Sequence, residues 1–198
     1  LGSSSQARMI SEPEAINGLL LSYLLHQIPE AQALNQLKQL IEAYRISGDG
    51  KKSIIFKFTS WNVFSIHLFQ KLYPNTPWIY IDRETEELVQ ILKNEDGGFI
   101  DWWHHPVDIL RKHFAESAST CMDLESYLRH MIEGHRKSAL TAKNSNGLLI
   151  NYPDFLKAIP EILAHFQLEF STVEMENALD FQRFESKKFE PILFEPSL

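Results

Sequence analysis

The chain has 198 residues, of which 44% are hydrophobic and 12% aromatic, and its net charge is −7. A chain of this length buries roughly 70% of the surface that it exposes when unfolded, so the composition predicts one folded domain rather than disorder. The negative net charge disfavours nonspecific binding to nucleic acid, which needs a basic surface. It is compatible with a local basic pocket for a small anion.

The sequence shows no feature of a membrane or secreted protein. No apolar run approaches the ~18 residues of a membrane span, and the longest, Leu19–Leu25, is interrupted by Ser22 and Tyr23. The single cysteine, Cys121, suits a reducing compartment, so a cytoplasmic location is expected. The segment Leu1–Arg8 lacks the charged start and apolar core of a signal peptide, and we interpret it as following a removed or unrecorded beginning.

The first part of the chain is predicted to be helical. Ser11 and Glu14 have the spacing of a capping box, which predicts a helix from about Glu12 to Gln27. A second helix, ending before Gly48, is predicted from apolar residues at helical spacing, namely Leu34, Leu37, Ile41 and Tyr44.

Three short apolar segments are predicted to be strands: Ser53–Phe58, Trp78–Ile81 and Leu148–Asn151. Helical patterns follow the first two, between Val63 and Leu72 and over Thr85–Lys93. This alternation is typical of βαβ units. The predicted fold class is therefore α/β, with a three-layer, mostly parallel sheet flanked by helices and a helix-rich periphery.

The remaining helices are predicted from composition and caps. A polar helix is expected over Asp123–Thr141, with solvated side chains at Arg129, His130, His135, Arg136 and Lys137. Another is expected over Asp154–Phe166, and a capping box at Ser171 and Glu174 opens a last one that ends near Phe184.

Ligands of open parallel sheets bind beyond the carboxyl ends of the strands. That rule selects three segments here, Thr59–Trp61, Asp82–Arg83 and Tyr152–Asp154. Arg83 is the strongest candidate, because an arginine at a strand end can hold a phosphate with paired N–H bonds. The alternative is an ion pair between Arg83 and Glu87 on the next helical turn.

Three segments of the chain, in order, resemble the sulfotransferases. Residues 54–90 (IIFKFTSWNVFSIHLFQKLYPNTPWIYIDRETEELVQ) resemble a strand ending in lysine, a helix, and a strand leading into the motif R-x-P-x-(D/E)-x-x-x-S. Residues 148–168 resemble the Y-E-D-L stretch with its helix, and residues 11–17 (SEPEAIN) resemble the segment after the phosphate loop. The resemblance implies one P-loop-type domain over residues 1–198 that uses 3′-phosphoadenosine 5′-phosphosulfate and transfers its sulfuryl group to a hydroxyl or amine.

The resemblance assigns roles to particular residues. Arg83 matches the arginine that binds the 3′-phosphate of the donor, and Glu12 matches the general base of tyrosylprotein-type members. The serine of the motif falls at Ile91, which cannot donate a hydrogen bond. If Lys57 is the strand-end lysine, Thr59 occupies the position at which cytosolic members have a histidine base.

Other interpretations of the candidate residues stay open. Glu12 at a helix start is kept charged by the helix dipole, and it could serve only to stabilise that helix. The cluster Trp102–His105 is expected to line the acceptor site or to pack, and no metal is expected there. Lys187 and Lys188 resemble a basic segment that approaches the donor, although a solvated tail is the alternative, and Cys121 is expected to be inert.

The donor loop of the family, of the P-(K/R)-S-G-T-T kind, is missing from the sequence. Gly2–Ser5 has no basic residue and no strand before it, and the family spacing places the loop and its strand upstream of Leu1. Two functions are therefore kept: a sulfotransferase acting on a small-molecule or peptide acceptor, and an inactive binding or accessory module of the same fold. A homo-oligomer is left open.

Overall fold

The computed structural model describes residues 6–46, 53–94, 103–104 and 123–181. Over these residues the protein is a mixed α/β fold with seven α-helices and four short strands in two two-stranded sheets. No helix within the described ranges combines the length and the apolar character needed to cross a membrane.

The four strands pair in parallel. They are β1 (Ala7–Ser11), β2 (Ser53–Lys57), β3 (Trp78–Asp82) and β4 (Gly147–Asn151). β1 pairs with β2, so that Ser11 lies opposite Lys57, and β3 pairs with β4, so that Asp82 lies opposite Asn151. Because the register is flush in both pairs, the residues that follow each pair of strands emerge at the same edge.

Helices precede and follow these strands. They are α1 (Glu14–Leu24), α2 (Glu30–Ile46), α3 (Ile66–Leu72), α4 (Thr85–Lys93), α5 (Leu124–Ala142), α6 (Ile159–His165) and α7 (Thr172–Phe181). Two 3-10 segments, Ser60–Ser65 and Tyr152–Asp154, follow β2 and β4 directly. The second one explains why the helix predicted from Asp154 begins at Ile159 instead.

The parallel α/β character predicted from the sequence is confirmed, and the three predicted strands are correct to within one residue at each end. The described strands do not form one continuous sheet, however. β2 and β3 are consecutive in the chain, but each hydrogen-bonds to a different partner. The expected single sheet is thus seen as two separate parallel pairs.

The start of the first helix was predicted wrongly. Ser11 is the last residue of β1, whose extended backbone pairs with β2, so its side chain does not cap a helix. α1 begins at Glu14, with Pro13 as an N-cap that makes no side-chain hydrogen bond. The second predicted capping box is confirmed: Glu174 N–H donates to Ser171 Oγ (3.3 Å), and Ser171 N–H donates to the Glu174 carboxylate (2.8 Å).

Apolar side chains cover both faces of the β1–β2 pair. Alternate residues of a strand point to opposite faces, and Ile55 and Phe56 of β2 accordingly belong to different clusters. Phe56 packs against the larger cluster, to which α1, α2 and α5 contribute. Ile55 packs with Ala7 against the smaller cluster around Leu163 and Leu168.

α5 is more deeply buried than its polar sequence suggested. Its inward face carries six buried residues: Tyr127, Leu128, Met131, Ile132, His135 and Ala139. The prediction that His135 is solvated is wrong, because it lies on the same face as Met131 and Leu128 and is only 2% exposed. Its ring meets Phe64 edge-on at a centroid distance of 5.0 Å. His130 is half-buried, and its Nδ1 lies 2.7 Å from the carbonyl oxygen of Ser126.

We expect Gly147→Ala to lower the free energy of unfolding by about 1–3 kcal/mol, as overpacking does. A Cβ at Gly147 would lie 2.4 Å from Cζ2 of Trp78, its partner across β3 and β4. Gly18→Ala is the matched control: it meets no atom within 4 Å inside α1 and should stabilise by about 0.5–1 kcal/mol. Equilibrium denaturant unfolding measures both changes, and a Gly147→Ala protein as stable as the parent would contradict the expected clash.

Candidate functional site

Arg83 and Tyr152 meet at the carboxyl edge of the β3–β4 pair. Arg83 follows β3 and Tyr152 follows β4, and the flush register brings the two chain segments to one edge. The guanidinium carbon of Arg83 lies 4.3 Å from the centroid of the Tyr152 ring, a cation–π contact. The structure therefore brings together two of the three strand-end segments that the sequence singled out.

Arg83 also forms the ion pair that was the alternative interpretation of this residue. Its Nη2 donates to Oε1 of Glu87, one turn along α4. The hydrogen bond from Arg83 holds the pKa of the Glu87 carboxyl below its ordinary value, and the same bond raises the pKa of Arg83. The side chain of Glu87 is 47% exposed, so solvent can compete for this ion pair.

The buried part of the Arg83 guanidinium has spare hydrogen-bonding capacity. Its Nε is buried and makes no hydrogen bond in the part of the chain that the structure describes. Buried donors are almost always paired, so an unpaired one at a strand end is a feature to explain. An anion that accepts from Nε would satisfy this donor.

Arg136 of α5 fixes the turn from which Arg83 projects. Its Nε and Nη2 donate to the two carboxylate oxygens of Asp82, at 2.6 and 3.0 Å. Its Nη1 donates to Thr85 Oγ1 at 2.9 Å, and its Nη2 donates also to the carbonyl oxygen of Arg83 at 2.9 Å. The prediction that Arg136 lies on a solvated face is wrong, because α5 packs against α4 and brings Arg136 to the end of β3.

The surroundings of this turn affect the titration of a neighbouring tyrosine. Burial raises the pKa of Tyr80 to about 12, the charge of Asp82 adds to the rise, and that of Arg136 opposes it. The phenol of Tyr80 is therefore neutral over the physiological pH range. Several side chains contribute charge at this edge: Asp82, Arg83, Glu84, Glu87 and Arg136.

Glu12 lies at the carboxyl edge of the other pair of strands. Its carboxylate accepts a hydrogen bond from Lys57 Nζ at 2.5 Å, and its N–H donates to the carbonyl oxygen of Lys57 at 2.7 Å. The structure therefore brings together the candidate base and the strand-end lysine. The Glu12 side chain is 44% exposed, so an incoming molecule can reach it.

The backbone of Glu12 is in the left-handed region, with φ of 48°. Such a conformation is uncommon for residues other than glycine and is strained. Two other described residues share it, His26 and Gln167, but both directly follow the C-cap of a helix, where left-handed backbone is usual. Glu12 instead links a strand to a helix, which marks it as a residue held in place at some energetic cost.

A chain of hydrogen bonds lies behind the end of β2. Thr59 Oγ1 donates to Asn62 Oδ1 at 2.6 Å, and Asn62 Nδ2 donates to Asn17 Oδ1 at 3.0 Å. Asn62 is only 4% exposed. Thr59 thus has a structural contact that ties Ser60–Ser65 to α1.

The structure does not bring Glu12 and Arg83 into contact. They follow strands of different sheets, and among the described residues Glu12 pairs with Lys57 while Arg83 contacts Glu87 and Tyr152. Both follow the carboxyl ends of parallel strands, a position that the sequence predicted for Arg83 but not for Glu12, which was expected at the start of a helix.

The other predicted residues are only partly described. Trp103 packs against Tyr127 at a ring-centroid distance of 5.3 Å, which supports a packing function, and His104 is exposed. Ile91 is half-buried on α4. The remaining predicted positions lie outside the described residues: Gly2–Ser5, Trp102, His105, Cys121, Lys187 and Lys188.

Two features bear on the class of protein. Within the described ranges, no group of three or more His, Cys, Asp and Glu residues could hold a metal ion. The fold and the site define an α/β protein with an arginine held at the carboxyl ends of parallel strands. No family model, curated protein or solved structure matches the chain.

Proposed function

We propose that the chain forms most of a sulfotransferase domain, which transfers a sulfuryl group from 3′-phosphoadenosine 5′-phosphosulfate to a hydroxyl or amine of a small molecule or peptide. The observation that carries the proposal is the placement of Arg83: a cation at a carboxyl strand edge, stacked on Tyr152, with a buried Nε that has no described partner. Cytoplasmic location and action without a metal belong to the same proposal.

In this proposal Arg83 binds the 3′-phosphate of the donor. A phosphate carries more charge than the Glu87 carboxylate and can accept from both Nε and an Nη of one guanidinium. The exposed Glu87 then acts as the counter-ion of Arg83 until the nucleotide displaces it. Tyr152 limits the directions in which the guanidinium can turn.

In this proposal one additional strand joins the two parallel pairs. β2 and β3 are consecutive, and their inner residues are only half-buried although both strands are strongly apolar, with Ile81 44% exposed. A fifth strand between β2 and β3 would complete a three-layer sheet and place its own loop at the edge shared by Glu12 and Arg83. The described residues contain no such strand, and the proposal requires one together with a donor loop.

Glu12 is the general base of the proposed reaction. It takes the proton of the acceptor hydroxyl as the acceptor oxygen forms a bond to sulfur. At the same time, the bond breaks between the sulfur and the oxygen that joins it to the 5′-phosphate of the donor. The electron pair of that bond leaves with 3′-phosphoadenosine 5′-phosphate. Lys57 holds the carboxylate at the strand edge through its 2.5 Å hydrogen bond.

A second function is favoured by Ile91. The motif requires a hydroxyl at this position on α4, and isoleucine supplies no hydrogen bond to a phosphate. A domain with a decayed donor site would act as a binding or accessory module and would not need Glu12 as a base.

Thermal unfolding of the full-length protein separates these two functions. A ligand stabilises only the state that binds it, by about 2.7 kcal/mol at a hundredfold excess over its Kd. The enzyme hypothesis predicts a rise in the unfolding midpoint with 3′-phosphoadenosine 5′-phosphate and a smaller rise with adenosine 5′-phosphate. An unchanged midpoint with both nucleotides would reject the enzyme and favour the accessory module.

A further inference from the structure

We propose that Arg136 is a positioning residue, which holds Arg83 in the orientation that binds the 3′-phosphate; this inference rests on the proposed function. Arg136 uses four of its five N–H donors at the turn after β3: two on Asp82, one on Thr85 and one on the Arg83 carbonyl oxygen. Arg83 N–H in turn donates to Asp82 Oδ1 at 2.9 Å.

These contacts fix the backbone of Arg83 on both sides. Its N–H and its carbonyl oxygen are each held by one member of the Asp82–Arg136 pair. The bond to Thr85, the first residue of α4, fastens the end of the strand to the start of the helix. The side chain of Arg83 in turn contacts the Tyr152 ring and Glu87.

The geometry requires arginine at position 136. A planar guanidinium can face a carboxylate with two donors and still reach other acceptors, whereas the ammonium of lysine is a point charge. Side-chain exposure is 28% for Arg136 and 19% for Asp82, so solvent screens the pair only in part. Thr85 stands where the motif R-x-P-x-(D/E) has proline, whose side chain could not accept this hydrogen bond from Arg136.

The first test needs no nucleotide. Protons of a side chain stacked on an aromatic ring resonate upfield, so the NMR shifts of the Arg83 side chain report its contact with Tyr152. We expect R136K to lose most of this upfield displacement. R129K is the matched control, because Arg129 lies two turns earlier on α5 and pairs with Glu86 and Glu125 but not with the β3 turn. An unchanged Arg83 shift in R136K would overturn the proposal.

The second test measures nucleotide affinity. We expect R136K to bind 3′-phosphoadenosine 5′-phosphate about tenfold more weakly, the equivalent of one charged hydrogen bond, while binding adenosine 5′-phosphate as the parent does. If R136K lost affinity equally for both nucleotides, Arg136 would only stabilise the structure, and this result would also overturn the proposal. Should R136K fail to fold, Thr85→Val removes one acceptor of Arg136 and is expected to change both readouts in the same direction.

The two tests distinguish failure of the inference from failure of the proposed function. If the parent protein binds both nucleotides equally, Arg83 does not bind a 3′-phosphate and the proposed function fails. The NMR shifts would still decide whether Arg136 orients Arg83. If the parent prefers the 3′-phosphorylated nucleotide and R136K keeps that preference in full, only the inference about Arg136 fails.

Discussion

Glu12→Gln is expected to lower the turnover of sulfuryl transfer by about 10²–10⁴-fold, because that is the usual contribution of a general base. Glutamine preserves the shape of the side chain, and its carbonyl oxygen can still accept the hydrogen bond from Lys57. It cannot take up a proton. Affinity for 3′-phosphoadenosine 5′-phosphate should stay close to that of the parent, since Glu12 and Arg83 lie at the ends of different strand pairs.

Glu14→Gln is the matched control for this prediction. Glu14 is exposed in the first turn of α1, two residues from Glu12, but it does not end a strand. Its replacement should leave turnover nearly unchanged, and single-turnover kinetics at saturating donor would compare the two variants directly. Near-normal turnover in Glu12→Gln would reject the general-base role, and an equal loss in Glu14→Gln would indicate a charge effect of the helix start.

The sequence predicted those parts of the fold that local patterns determine. β-branched runs such as SIIFK identify strands because they suit a pleated, buried surface, and β2, β3 and β4 lie where predicted. β1 was missed because Ser11 and Glu14 also fit a capping box, and only pairing with β2 decides between the two. The spacing of neighbouring residues such as Ser11 and Glu14 gives no information about a strand partner 46 residues away.

The candidate site, like the fold, could be predicted only where local sequence patterns determine it. The strand-end rule located Arg83 and Tyr152, since it depends only on strand positions and parallel topology. Arg136 was missed because its partner Asp82 lies 54 residues earlier and the charge pattern of α5 suggested a solvated face. The left-handed backbone of Glu12 has no sequence signal, because it results from the junction of a paired strand with a helix.

Arg83→Ala tests the central claim most directly. We expect it to weaken binding of 3′-phosphoadenosine 5′-phosphate by about 10- to 100-fold, the range for loss of hydrogen bonds to a charged group. Binding of adenosine 5′-phosphate should hardly change, because this nucleotide lacks the phosphate that Arg83 would hold. Arg45→Ala is the control, since Arg45 also pairs with a glutamate on its own helix but lies far along α2 and is 68% exposed.

Calorimetric titration of both nucleotides into the full-length parent, Arg83→Ala and Arg45→Ala proteins is the deciding measurement. The proposed site predicts that the parent and Arg45→Ala prefer the 3′-phosphorylated nucleotide and that Arg83→Ala loses this preference. If Arg83→Ala binds 3′-phosphoadenosine 5′-phosphate as tightly as the parent does, the edge of β3 and β4 is not the donor site.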